Sequence, residues 1–182
     1  MLIDGVDIDR FTPEATGPDP GRPLRVGWVG NSDWGAQISP DMKGFHGIFS
    51  PAMARLEAAG LAVMHLADRA THPVPPDRMP EFYRDLDVLV CTSLIEGTPN
   101  PVLEAMAAGV AVVSTDVGIV RKALGPLQAQ MILDLRSAGT MADALRRLAE
   151  NRGLLARLKA ENLSTIPGWD WAVTTRGWPG FW

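Results

Sequence analysis

At 182 residues the chain has room for one domain with a sizeable core and is too short for two ordinary ones. Hydrophobic residues make up 46% and charged residues 21%, an ordinary globular balance, and no apolar run approaches the roughly 20 residues needed to span a bilayer. The formal net charge of −4, with no Lys/Arg stripe interleaved with aromatics, argues against a nucleic-acid partner.

In chain order, residues 1–23 read as a leading segment rich in Pro, Gly and Asp, without helical or strand periodicity. The start MLIDGVDIDRF carries acids where a secretory signal has a basic and then an apolar stretch. Leu24 to Val29 (LRVGWV) is a short apolar strand ending in Gly30, followed by a long polar loop, GNSDWGAQISPDMK. Long loops at a strand's carboxyl end are more often functional than mere connectors. Ser50 before Pro51 reads as an N-cap, which predicts a helical break there, a helix to about Ala59 and Gly60 as its C-cap.

Leu61 to Ala67 (LAVMHLA) is the second predicted strand, followed by the proline-rich loop ADRATHPVPPDRMP and a short helix over PEFYRD. The third strand is LDVLVCTS, Leu86 to Ser93, and its Cys91 reads as a buried inert thiol; as the sole cysteine it excludes an internal disulfide. The loop EGTPNP leads into the helix VLEAMAAG, and Gly109 turns the chain into a fourth strand, VAVVSTD. VGIVRKAL reads as a short helix or turn, Gln130 to Leu135 (QMILDL) as a fifth strand, and the stretch from Ser137 to Leu163 as two helices joining near Gly153. The strands at 86–91 and 110–113 are continuous apolar runs, which is the pattern of a parallel sheet covered on both faces. The fold class is therefore α/β, a Rossmann-like doubly wound parallel sheet over residues 24–165. The tail 166–182 holds four of the six tryptophans.

The unit that carries chemistry is EGTPNPVLEAMAAGVAVVSTDVG. Two carboxylates, Glu96 and Glu104, bracket a Gly/Pro-rich loop with seven residues between them. A strand, an anion-friendly turn, a helix N-terminus and a parallel strand together place a ligand at the carboxyl end of a sheet. Pro101 fits the first turn of the helix, so Glu104 either gains from the helix dipole or offers a carboxylate to two vicinal hydroxyls of a ligand. Glu96 is either a solvated loop carboxylate or one pointing into a cleft. Gly97, Thr98, Asn100 and Val102 offer backbone N–H groups at the helix start, while Pro99 and Pro101 stiffen the loop. Such a turn suits a phosphate or a sugar hydroxyl, or is simply a capped helix with Asn100 as its N-cap. Lys43 is a phosphate clamp or a surface lysine beginning a helix.

This unit resembles the donor-site signature of retaining glycosyltransferases of the two-domain GT-B fold, in particular glycosyltransferase family four. The resemblance covers the chain from about Asp4 to about Asn162 and corresponds to the C-terminal, nucleotide-sugar-binding half of such enzymes. It implies that Glu104 binds the ribose hydroxyls and that Glu96 binds the donor-sugar hydroxyls near the anomeric carbon, with an orienting and charge-stabilising part in catalysis. In the family a strand ends in Gly, then Arg, and a later Lys-Gly completes a pyrophosphate clamp. Here Gly30, Lys43 and Gly44 are kept, but Asn31 stands where the Arg usually lies and the loop is longer. Catalysis is thus expected from Glu96 and Lys43, and substrate binding from Gly30, Asn31, Lys43, Glu96, Gly97, Thr98, Pro99, Asn100 and Glu104. The nucleobase is expected over the loop from Ala67 to Pro76, with Arg69 and Arg78 as candidate contacts.

The resemblance further implies a nucleotide-sugar such as a UDP- or GDP-sugar as donor, with no cofactor. GVDIDRFTP resembles the hinge-side segment of the family, so Met1 is expected not to be the enzyme's native start. An acceptor-binding N-terminal domain is expected to complete the enzyme, and the Trp-rich tail either docks on that domain or closes over the bottom of its own. No metal site is expected: the three histidines pair with nothing at ligand spacing, and Asp87, in the second of two Asp-x-Asp triplets, sits at a strand's amino end. The acceptor is a glycan, lipid or small molecule, in the cytoplasm or peripherally at the inner face of a membrane. Two alternatives remain open on the sequence, a nucleotide-sugar-binding regulatory module without transfer and a GT-B-related sugar-nucleotide epimerase. In each case the chain alone is expected to be inactive as a transferase.

Overall fold

A computed structural model describes residues 4–13, 21–38 and 41–177. Four parallel strands form one sheet in the order β2-β1-β3-β4: β1 is Leu24–Gly30, β2 Ala62–Asp68, β3 Val88–Cys91 and β4 Ala111–Ser114. The chain leaves β1 toward one edge to make β2, then crosses back to the other side of β1 to make β3. The crevice outside the carboxyl ends of β1 and β3 is therefore the topological switch point, where ligands of such sheets bind.

The apolar runs of the strands are explained by two cores, one on each face. Leu24, Val26 and Trp28 of β1, Val88 and Val90 of β3, and Ala111 and Val113 of β4 point to one face. There they meet helices α1 (Ser50–Ala58), α5 (Ala138–Glu150) and α6 (Arg152–Thr165). Leu89 and Val112 point to the other face, against α2 (Met79–Arg84), α3 (Asn100–Ala107) and α4 (Val120–Ala123). Each fully buried Leu, Val or Met side chain contributes roughly 1.5–3 kcal/mol relative to exposure. A last short helix, α7 (Trp171–Thr174), follows in the tail. Among the described residues no helix is long and apolar enough to cross a membrane.

Two predicted features are corrected. Ser50 is not an N-cap and no break precedes it: a π-helical turn over Phe45–Phe49 runs straight into α1, and Ser50 is itself helical. Pro51 cannot donate to the turn before it, and the wider turn absorbs that loss. The helical run is capped instead by Asp41, whose carboxylate accepts the amides of His46 at 3.0 Å and Gly47 at 2.6 Å.

The fifth strand is not formed. Gln128–Met131 is a short 3-10 turn, and only Ile132 bridges to Ser114. Where a strand would pair, the Gln128 side-chain amide takes both groups of Val112, accepting its N–H at 3.1 Å and donating to its carbonyl at 2.6 Å. Asn162 donates to the Gln128 side-chain oxygen at 3.0 Å and to the Val110 carbonyl at 2.8 Å, so one amide pair caps the edge of β4.

The leading segment is tied to the body at two places. Val6 donates to the Trp169 carbonyl at 2.9 Å and accepts from the Trp171 amide at 3.1 Å, and Phe11 is buried against Tyr83. The described part of the tail, through residue 177, thus lies beside the leading segment, with Ile166 buried and Trp171 partly exposed. Trp178 and Trp182, part of the expected docking surface, lie outside the described residues. Asp87 accepts a two-pronged contact from Arg22 at 2.6 and 3.0 Å and the Arg25 amide at 3.0 Å, a structural role at the amino end of β3.

Gln128→Ala leaves the buried N–H and carbonyl of Val112 without partners. Since each such group costs about 1–3 kcal/mol, the variant is expected to lose about 2–4 kcal/mol in urea unfolding, while an exposed-face control such as Arg146→Ala stays within about 0.5 kcal/mol.

Candidate functional site

A cleft of about 510 Å³ opens at the carboxyl ends of β1 and β3. Gly30, Asn31, Lys43, Glu96, Thr98, Pro99, Asn100 and Glu104 all line it, so eight of the nine candidate residues are brought together. Gly97 does not line it; its carbonyl instead accepts the Ile119 amide at 3.2 Å.

Lys43 is held by its backbone. The Lys43 carbonyl accepts the Thr92 hydroxyl at 2.7 Å, and the Met42 carbonyl accepts the Leu94 amide at 2.8 Å. The Trp28 indole N–H donates to the same Thr92 hydroxyl at 3.3 Å. Arg136 staples the arrangement from behind, donating to the Thr92 carbonyl at 2.9 Å and the Asp41 carbonyl at 2.7 Å. Gly44 is what permits the approach: its φ is 70°, and a Cβ there would stand 2.3 Å from the Thr92 carbonyl oxygen. Gly30 is demanded by packing, since a Cβ would lie 2.6 Å from the Trp28 ring.

The Lys43 ammonium reaches across to Glu96 Oε1 at 2.5 Å and lies 4.9 Å from the centre of the Trp34 ring. Glu96 Oε1 also accepts the Ser93 hydroxyl at 2.6 Å. The two residues expected to carry the chemistry are thus paired with each other, both about four-fifths buried.

Glu104 lies in α3 and faces the base of the cleft. Its Oε2 accepts the hydroxyl of Tyr83, the chain's single tyrosine, at 2.6 Å. Burial pushes the Glu104 carboxyl up, an effect partly offset by the Tyr83 hydrogen bond and the nearby Arg10 guanidinium. Burial, joined by the Glu104 charge, pushes the Tyr83 phenol well above its ordinary value, so it stays a donor. Arg10 packs over Phe11 with its guanidinium 5.3 Å from the ring centre and donates to the Pro76 carbonyl.

Asn100 is not the N-cap: it is the first residue of α3, Pro99 holds the cap position, and no side chain caps the helix. The Asn100 and Val102 amides are spent inside the turn, on the carbonyls of Thr98 at 2.9 Å and Pro99 at 2.8 Å. Two of the amides expected to meet a ligand are therefore satisfied by the loop itself, because its two prolines fold it into a tight turn.

The loop after β1 is organised by Asp68, at the end of β2. Its buried carboxylate accepts the Ser32 amide at 2.9 Å, the Ser32 hydroxyl at 2.7 Å, the Thr71 hydroxyl at 2.7 Å and the Ala70 amide at 3.1 Å. Burial raises the Asp68 carboxyl, but these donors outweigh it and hold the group below its ordinary value. Arg69 lines the cleft, together with Ala67, Pro73, Val74 and Pro76. Arg78 does not; it pairs with Glu81 at 2.6 Å on the surface. Cys91 also lines the cleft, and burial pushes its thiol up, as suits an inert group. Among the described residues no three His, Cys, Asp or Glu side chains are grouped to hold a metal ion.

Sequence reading passed over Arg10, Trp34, Asp68, Tyr83, Ser93 and Arg136. Arg10 sits in a segment read as a linker, and Tyr83 in a helix read only for its start. Asp68, at the end of a strand and followed by small and hydroxyl residues, did carry a local signal, that of a side chain closing a turn.

The model of a protein family described as glycosyl transferases group 1 matches residues 69–164. The chain is 30% identical over 161 residues to a D-inositol 3-phosphate glycosyltransferase of Nocardia farcinica, covering 87% of this chain and 33% of that protein. It is 30% identical over 196 aligned positions to the lipopolysaccharide core biosynthesis mannosyltransferase LpsB of Rhizobium meliloti, covering 90% of this chain and 54% of that protein. The chain thus spans between a third and about half of the length of these relatives. In fold it is similar to the crystallised C-terminal domain of a glycosyl transferase group 1 family protein (LpcC) from Francisella tularensis, with a TM-score of 0.73 and 20% identity, covering 90% of this chain and 97% of that one.

Two expectations follow from the geometry. Gly44→Ala pays about 1–2 kcal/mol for the left-handed backbone alone and more for the collision with Thr92, so its urea midpoint should fall clearly, whereas Gly97→Ala, with nothing within 4 Å of the new methyl, should be nearly silent. Asp68, with its folded value depressed, stabilises fully above its unfolded pKa of about 3.9 and loses that contribution as pH falls through the folded value. The stability gap between wild type and Asp68→Asn should accordingly be full at pH 7 and close in acid, which denaturant titrations across pH would show.

Proposed function

The chain belongs to the glycosyl transferases of group 1, and from that premise we propose that it is the donor-binding half of a retaining glycosyltransferase that takes a nucleotide-sugar. The observation that carries the reading is the cleft at the switch point of the sheet, which gathers Lys43, Glu96 and Glu104 at its walls. Glu104 receives the ribose hydroxyls, with the nucleobase against Ala67, Pro73, Val74 and Pro76. Lys43 meets the pyrophosphate, and Glu96 meets the hydroxyls of the donor sugar.

The chemistry follows from these places. The bond between the anomeric carbon and the leaving phosphate oxygen breaks as the acceptor oxygen bonds to the same face of the sugar and gives up its proton to the departing phosphate oxygen. Negative charge collects on the departing diphosphate, and a cation already fixed beside it stabilises that charge without reorganising. Lys43 supplies the cation, and Arg69 adds positive charge in the cleft where Asn31 supplies none. For Lys43 to reach a phosphate it must let go of Glu96, and Glu96 then keeps the Ser93 hydroxyl while turning its freed lone pairs to the sugar. Acceptor and second domain belong to the whole enzyme, whether free in the cytoplasm or peripheral on a membrane, so this chain alone binds donor and does not turn over.

Calorimetric titration of the chain with UDP, GDP and ADP and their sugar adducts tests the reading. Saturable binding of one nucleotide is expected, weakened by roughly 1.5–3 kcal/mol in Glu104→Ala, the scale of a charged hydrogen bond. No binding of any of them overturns the proposal. Glu104→Gln separates binding from folding. Because burial raises the carboxyl, its ionised form costs stability above its folded pKa, so the amide is expected to unfold at equal or higher urea while binding nucleotide more weakly.

A further inference from the structure

The only tyrosine of the chain lies under the candidate donor site and is fully buried. A buried phenol normally packs its ring and finds any nearby acceptor for its hydroxyl. This one spends its proton on a carboxylate that lines the cleft, at 2.6 Å. Its ring is fixed from two sides, edge-on to Phe11 at 5.7 Å and to Phe82 at 5.8 Å between centres. The hydroxyl therefore points one way, from a rigid ring on α2 to a carboxylate on α3. Among the described residues no hydrogen bond is made by Glu104 Oε1.

We propose that Tyr83 is a positioning residue of the donor site, which fixes the Glu104 carboxylate by Oε2 so that Oε1 and the remaining lone pair of Oε2 are presented to the ribose hydroxyls. The proposal rests on the donor-site reading above and adds to it the residue that aims Glu104. A free carboxylate on a helix turns about its side-chain torsions and is hydrated. One held by a short charge-assisted hydrogen bond is oriented before the ligand arrives, so binding does not have to order it. The charged and titratable groups facing Glu104 are Tyr83 from α2 and Arg10 from the leading segment. Lys43, Glu96, Cys91 and Arg69 line the same cleft from β3 and the loops around it. Arg10 pulls the carboxyl in the same direction as Tyr83, toward the ionised form.

Tyr83→Phe keeps the ring, its edge contacts and the packing of α2, and removes only the donor. The test is binding of the nucleoside diphosphate that the wild-type chain prefers, measured from pH 5 to pH 8 in both proteins, alongside its 2′,3′-dideoxy analogue. With the hydrogen bond gone, Glu104 protonates at higher pH, so the acid limb of the affinity profile is expected to move up by at least half a pH unit. Affinity at pH 7 is expected to fall about fivefold or more for the ribonucleotide and to stay within twofold for the dideoxy analogue, which has no hydroxyls for Glu104 to hold. A purely structural role would weaken both nucleotides alike and leave the acid limb in place. That outcome, or an unchanged profile, overturns the assignment of Tyr83 while the donor site stands. A wild-type chain that binds no nucleoside diphosphate overturns the donor reading, and Tyr83 with it. Should Tyr83→Phe fold poorly, carboxyl-carbon NMR of Glu104 in Arg10→Ala, which leaves the phenol in place, gives the second measurement. A Glu104 titration that stays below that of Tyr83→Phe, measured in stabilising osmolyte, supports Tyr83 as the main anchor, and the reverse order refutes it.

Discussion

The site depends on how closely the loop after β1 approaches the end of β3. Thr92 is the point of contact. Its hydroxyl accepts from Trp28 and donates to the Lys43 carbonyl, and its own carbonyl takes Arg136 and presses on Gly44. Two strands adjacent in the sheet thereby share one junction at their carboxyl ends. Lys43 starts from that junction, and so does the loop that carries Ser93 and Glu96. A long polar loop alone would leave its lysine free to sample solvent at an entropic cost of binding. Here the backbone on either side of Lys43 is already held, and only the flexible stem remains to be ordered.

Charges that serve a ligand must be kept while no ligand is there. The cleft does this in two different ways. Lys43 and Glu96 neutralise one another at 2.5 Å, with Ser93 and the Trp34 ring completing their surroundings. That pair holds each charge in place through the other, and the ammonium keeps two further N–H donors beyond the one aimed at Glu96. Among the described residues no cation stands at contact distance from Glu104. Glu104 is partly buried, pushed toward its neutral form by desolvation, and drawn back from that form by a phenol and by the field of Arg10. A carboxylate maintained against its surroundings is costly in stability, and such costs are usually found where a group has work to do on a ligand.

Much of this was legible from the residues. Continuous apolar runs at 86–91 and 110–113 point to a sheet buried on both sides, and two cores on opposite faces are what is found. The Glu-Gly-Thr-Pro-Asn-Pro turn and the Lys-Gly pair pointed to one crevice because strand ends carry them, and the sheet order brings those ends together. The errors share a cause. QMILDL has the composition of a strand, yet the edge of β4 is satisfied by the side chain of Gln128, a solution that no strand propensity reveals. Asn100 has the chemistry of an N-cap and Ser50 has it too, yet neither caps. In one case the two prolines close the turn with its own amides, and in the other Asp41 reaches the helix from four residues before its first residue, Phe45. At β4 and at the helix after Gly44, local preference lost to a side chain arriving from elsewhere, and at Asn100 it lost to the backbone of its own turn.

The same reasoning explains why the supporting residues were harder to see than the ones they support. Glu96 and Glu104 stand at fixed spacing in one turn of chain, so a single stretch displays them. Tyr83 lies 21 positions before the carboxylate it holds, Arg10 lies 94 before it, and Arg136 lies 44 after the carbonyl it staples. Each acts through a contact that only the folded sheet creates. A leading segment without periodicity looks like a linker in sequence, yet Phe11 is buried against Tyr83, and Arg10 beside it reaches the loop after β2 at Pro76. The segment is therefore part of the wall of the cleft, and any change in its path is felt at Glu104 through Arg10 on one side and through the Phe11–Tyr83 contact on the other.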